Sequence, residues 1–168
     1  MPTTTYVSVV VEASYPDVPA RECLHAIRTD TTDVYRIANM GFFTPLIPGD
    51  LVRATRGDTG ELVARAMVKY APGVTALVVT TGDDMDPTTL RQLWIDSGCI
   101  SSESGLGLLV GVWPAGTATD RLQRNLKHEL PDDAFLDVTD PQERREILAN
   151  SGLPPAPEAS TGGGSGRA

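Results

Sequence analysis

Between residues 74 and 138 the apolar pattern changes its period repeatedly, and the resulting order of elements limits the fold more than any single motif. Residues 74–81 form a β-branched and aliphatic run that stops at Gly82, as a covered strand does. Residues 86–98 read as a helix. Asp86 suits the N-cap, Pro87 the first helical position, and Gly98 the end, with Leu90, Leu93 and Trp94 at i, i+3 and i+4. Residues 99–103 and 106–113 are two strands around a Ser-Gly turn. A second helix opens at Thr117, carries Leu122, Leu126 and Leu130 one turn apart, and stops at Pro131. Residues 134–138 make a last strand.

This β-α-β-β-α-β order is the ferredoxin-like split pattern. It predicts a ferredoxin-like α+β module over residues 72–150, closed by a short helix that Asp140-Pro141-Gln142-Glu143 would cap. The first half follows another grammar. Residues 5–12, 22–28, 34–38, 51–55 and 62–68 read as strands, with a turn at Tyr15-Pro16-Asp17 and a hairpin connection at Arg56-Gly57-Asp58-Thr59-Gly60. Five short strands at close spacing predict a small barrel-like β module over residues 3–71. The expected class is therefore α+β. Residues 151–168 are rich in Gly, Pro and Ser and hold one large aliphatic residue, Leu153, so a disordered tail is expected there.

Charge narrows the partners. The net charge of −8 and a pI near 4.6 argue against a nucleic-acid backbone or an anionic membrane as the main partner. Two distant cysteines, Cys23 and Cys99, make neither a disulfide framework nor a four-ligand zinc site. No apolar run reaches membrane-spanning length, and Met1-Pro2-Thr3-Thr4-Thr5 lacks the basic start of a secretory signal, so a cytoplasmic protein is expected.

The stretch Arg36-Ile37-Ala38-Asn39-Met40-Gly41-Phe42-Phe43, followed by Pro48-Gly49-Asp50-Leu51-Val52, resembles the bacterial domain of unknown function 4265 family. Members of that family carry a strand, an Asn-x-Pro-Phe-Phe stretch and then Gly-Asp-x-Val. The likeness extends more loosely over residues 5–140, including Ser97-Gly98-Cys99. Gly41 stands where the family tends to have proline. Residues 70–76, Tyr70-Ala71-Pro72-Gly73-Val74-Thr75-Ala76, replace a polar Ser-Gly-His/Asn-Ser-Thr stretch, so chemistry resting on those side chains has no counterpart here. The resemblance implies no particular activity.

Read physically, Phe42 and Phe43 on an extended segment would point to opposite sides, one inward and one outward as a contact residue. Gly49 and Asp50 suit a tight turn that starts a strand, and Asn39 with them reads as structural. Cys23 and His25 would share a strand face, yet their backbones lie nearly 7 Å apart, loose for a thiolate–imidazole pair. The acidic run Asp83-Asp84-Met85-Asp86 lacks the glycine and glutamate of a calcium loop and serves better as a helix start. Gly111-Val112-Trp113-Pro114-Ala115-Gly116-Thr117 has the glycine spacing of a phosphate loop, but threonine stands where the lysine belongs. Arg121, Arg124 and His128 align on the second helix as a basic stripe suited to an acidic partner.

These features predict a non-catalytic interaction or regulatory protein of the immunity kind, with another protein as its partner. No catalytic residue, cofactor or metal site is expected. Partner contacts would come from Phe42, Phe43, Arg121, Arg124 and His128. The rival reading is an enzyme or small-molecule binder with an inter-module pocket built from Cys23, His25, Tyr35, Asp50 and Asp83. A nucleic-acid-binding module is a weaker third.

Overall fold

The computed structural model describes residues 5–15, 18–79 and 86–157. Among them the chain is α+β, with two sheets and three helices. The first sheet holds β1 (Tyr6–Tyr15), β2 (Val18–Arg28), β3 (Val34–Ile37), β4 (Leu51–Arg56) and β5 (Leu62–Lys69). Neighbours pair antiparallel in chain order, and a short parallel pairing of Val9 with Leu62 and Val10 with Val63 closes the sheet into a ring. Register shifts between Leu51 and Val52 and between Arg53 and Ala54 bend β4, which gives the curvature that closure needs. Alternation decides what faces inward. Leu24 and Ala26 on β2 are buried, whereas Cys23 and His25 between them are exposed.

The second sheet holds β6 (Val74–Val79), β7 (Ser101–Gly105), β8 (Leu108–Trp113) and β9 (Leu136–Thr139) in the order β7-β8-β6-β9, all antiparallel. Helices α1 (Pro87–Asp96) and α2 (Thr119–His128) cover one face. Asp86 caps α1 by accepting from the Thr88 and Thr89 amides, both at 3.1 Å, and the bond from the Thr89 hydroxyl, followed by those two, holds its carboxyl below the usual range. Trp94 of α1 and Trp113 of β8 meet beneath the helices with ring centroids 5.1 Å apart. No helix among the described residues is long and apolar enough to cross a membrane. The acidic candidate Asp83 and the turn residues Pro16 and Asp17 lie outside the described residues.

Helix α3 (Pro141–Asn150) follows the second sheet in sequence, yet it packs on the first. Its Leu148, fully buried, joins Val11, Leu24, Ile37, Val52 and Met67 inside the ring, with Leu46 and Leu153 beside it. The disordered tail expected from residue 151 is thus corrected for its first part. Leu153 is 1% exposed, the Met67 amide donates to the Pro154 carbonyl at 2.8 Å, and the Ala156 amide donates back to Met67 at 2.6 Å. The parallel pairing of β5 with β1 ends at Val63, so the Met67 backbone is free to take this short parallel partner. One leucine at the right place anchors a segment whose composition alone reads as unable to fold. Residues 158–168 lie outside the described residues. Leu153→Ala is expected to cost about 2–5 kcal/mol, seen as a lower urea midpoint with an unchanged slope. A midpoint equal to that of the parent would show that the 152–156 segment adds nothing to the ring's core.

Candidate functional site: an apolar cleft between the two sheets

After β3 the chain does not turn back at once into β4. Residues 38–50 cross instead to the face of the second sheet that the helices leave bare, and acidic side chains hold them there. The Glu22 carboxylate, 9% exposed, accepts from the Phe42 and Phe43 amides and from the Thr44 hydroxyl, the last at 3.0 Å. Glu103 on β7 accepts from the Met40 amide at 2.9 Å. Asn39 accepts from the His25 amide at 2.7 Å. A Cβ at Gly41 would collide with the Thr44 carbonyl, so only glycine lets the bend close this tightly.

The return into β4 rests on a buried ion pair. Asp50 and Arg144 of α3 are both fully buried and meet at 2.7 Å. Asp50 also accepts from the Ile47 amide at 2.9 Å and the Ala71 amide at 2.7 Å. Arg144 donates to the carbonyls of Pro45, at 3.1 Å, and Ala71. Burial pushes the Asp50 carboxyl up from its ordinary value, and the guanidinium and the two amides pull against that shift.

A cleft of about 430 Å³ remains between this segment and the sheet. Phe42, Phe43, Leu46 and Ile47 form one wall; Leu77, Leu108 and Val110 form the facing one. Phe135, Asp137 and Thr139 border it along β9, and Ile147 of α3 closes a side. The chain has three phenylalanines, and all three line this one cleft. Phe43 and Phe135 are 40% and 57% exposed. Phe42 is half-buried and lies over Gly105, where a Cβ would meet its ring at 3.3 Å. Apart from the Asp137 carboxylate the polar side chains are the hydroxyls of Thr44, Thr75 and Thr139, so the lining suits the reception of an apolar group.

The structure brings Phe42 and Phe43 into the site but separates the other expected groups. The segment is bent, not extended, so both rings border the same cleft instead of opposite sides of a strand. The pocket expected from Cys23, His25, Tyr35 and Asp50 does not form. Cys23 and His25 face outward from β2, where His25 meets Tyr6 edge-on with ring centroids 6.2 Å apart. Tyr35 faces the ring's core, and Arg144 occupies Asp50. Arg121, Arg124 and His128 are exposed along α2, with no acidic side chain paired to them among the described residues. The former phosphate-loop candidate leads to a more open cavity of about 560 Å³ bordered by Thr117, Thr119, Asp140 and Arg145. Sequence reasoning missed Glu22, Arg144 and the β9 wall. Glu22 stands in phase with the inward-facing Leu24 and Ala26, a signal that an acid is buried but not of what it binds, and an arginine inside a polar helix carries no signal of its long-range partners.

The chain resembles a solved structure described as a hypothetical protein from Neisseria gonorrhoeae, at 19% identity and a TM-score of 0.61, over 84% of this chain and 97% of that one. At that identity the likeness concerns the fold. No protein-family model and no curated protein matches the sequence.

Two measurements follow from this geometry. Phe42→Ala is expected to cost about 2 kcal/mol of stability, while Phe43→Ala stays within about 0.5 kcal/mol; equal large losses would place both rings in the core. Cys99 is buried and its thiol is raised by that burial, whereas Cys23 is exposed. Maleimide should therefore label Cys23 in the native protein and spare Cys99; equal labelling would mean that the second sheet opens freely.

Proposed function

We propose that this is a non-catalytic interaction protein of the regulatory or immunity kind, working in the cytoplasm, and that it receives an apolar part of a partner protein in the cleft. The observation that carries the reading is the gathering of every phenylalanine of the chain at one cleft, two of them exposed. In this reading the five-stranded ring is a barrel-like module. The strand order β7-β8-β6-β9 with its two helices supports a ferredoxin-like second module. Within the segment that carries the likeness to the domain of unknown function 4265 family, Arg36 to Val52, residues 40–47 line the cleft, and we propose the chain as a relative of that family on the strength of that stretch of sequence. Two free cysteines suit a reducing compartment.

Leu106 gives independent support. It tips the two-residue turn between β7 and β8, beside the strand whose Gly105 touches Phe42 and before Leu108 of the cleft wall. Both turn residues have positive φ, 56° at Leu106 and 74° at Gly107. Asparagine before glycine is the residue such a turn favours, and leucine there costs roughly 1–2 kcal/mol. Leu106 is also 76% exposed. A strained, exposed leucine is poor for stability, and contact with a partner accounts for it. A second reading, an enzyme or small-molecule binder, draws on the cleft volume, which falls in the range of ligand pockets.

Leu106→Asn separates stability from function. It is expected to raise stability by about 1 kcal/mol and to weaken partner capture from the host lysate, as are Phe43→Ala and Phe135→Ala, each by about 2 kcal/mol. Unchanged capture by all three variants would remove the cleft as the binding site. A small-molecule adduct seen by native mass spectrometry and lost in Phe135→Ala would favour the second reading.

A further inference from the structure

Asp137 is the one charged side chain in the lining of the cleft. The pleat of β9 puts it there: Phe135, Asp137 and Thr139 face the cleft, while Leu136 and Val138 pack under the helices. The other carboxylates near this wall are occupied, Glu22 by the Phe42 and Phe43 amides and Glu103 by the Met40 amide. Asp137 is exposed, pairs with no cation among the described residues, and accepts only a long bond of 3.4 Å from the Thr139 hydroxyl. A free carboxylate two residues from an exposed phenylalanine joins the two elements that hold an organic cation, a counter-charge and an aromatic face. Exposed Asp132 and Asp133 stand just before Phe135, and the whole chain carries −8, so the field at the mouth repels anions.

Building on the proposed role of the cleft, we infer that its occupant is a basic, apolar segment of a partner protein. An aliphatic or aromatic side chain fills the space between Phe42 and Leu77. A neighbouring lysine or arginine lays its stem along Phe135 and brings its charge to Asp137. An acidic apolar segment of the same shape would fit the walls but meet Asp137 unpaired.

The test uses two fluorescein-labelled synthetic peptides with identical leucine and phenylalanine positions, one with lysine and the other with glutamate at every polar position. Anisotropy at physiological salt should show the lysine peptide binding at least about tenfold tighter. Asp137→Asn should remove at least about fivefold of that affinity. Asp58→Asn, an equal charge loss in the exposed β4–β5 turn, should change it by less than about twofold. Phe135→Ala should abolish it, and all variants should keep the parental melting temperature.

Equal affinity for the two peptides, both lost in Phe135→Ala, would overturn the charge preference and leave the cleft as the binding site. An Asp58→Asn effect as large as that of Asp137→Asn would reduce the binding to diffuse attraction and overturn the inference as well. Indifference of both peptides to Phe135→Ala, or no binding by either peptide or by phenethylammonium, would take the cleft reading down with it. If phenethylammonium shifts the amide signals of residues 42–46 and 135–139 while neither peptide binds, the occupant is a small cation and the protein segment is ruled out.

Discussion

Arg144 sits fully buried on α3, and three separate stretches of chain converge on its guanidinium. Pro45 belongs to the segment that walls the cleft, Asp50 to the entry into β4, and Ala71 to the link between the two sheets. Removing a guanidinium and a carboxylate from water costs several kcal/mol per ion, so the pair is tolerable only where hydrogen bonds satisfy most of its remaining donors and acceptors. Here they do: Asp50 accepts two amides besides the arginine, and Arg144 donates to two carbonyls besides the aspartate. Its Nε has no partner among the described residues. The pair turns a covalently distant helix into a clamp on the loop, and the position of the loop follows from the clamp.

The cleft is a by-product of how the two sheets meet. Helices α1 and α2 cover one face of the second sheet, and Met40 and Ile47 of the 38–50 segment pack with Val110 and Val112 on part of the other face. The remainder is left bare because backbone amides, with side-chain carboxylates as acceptors, hold residues 40–44 in a bend. In this bend Met40 and Thr44 are buried while the Phe42 and Phe43 rings border the cleft. Glu22 thus binds the backbone of the very residues whose rings face the opening. A wall built this way is rigid without having a regular element in it, which suits a preformed binding surface.

Local chemistry was legible in the sequence, and long-range pairing was not. The N-caps Asp86 and Asp140 and the prolines after them mark their helices because the whole signal lies within four residues. The alternation around Leu24 and Ala26 marks the inner face of β2 for the same reason. The Phe-Phe and Gly-Asp stretch stood out, and it does form the wall and its hinge. Its partners could not be read, since nothing near Glu22 or Arg144 announces residues twenty to a hundred positions away. The segment 152–156 failed for a related reason. Composition measures how much apolar surface a stretch can bury on average, whereas Leu153 and the backbone of Pro154 and Ala156 complete a surface already built by others.

That completion sets an order on how the molecule is made. The strands of the ring are all synthesised by residue 69, yet its interior is sealed by Leu148 and Leu153, and the Asp50 carboxylate waits for Arg144. As the chain leaves the ribosome, the ring lacks Leu148, Leu153 and the Arg144 partner of Asp50 while the whole second sheet is translated. Its apolar lining and an unpaired buried acid remain accessible to chaperones or to other nascent chains for that interval. The strands of the ring thus precede the second sheet in the chain while residues that complete its interior follow it, and a chain stopped before α3 would lack Arg144, Leu148 and Leu153 together.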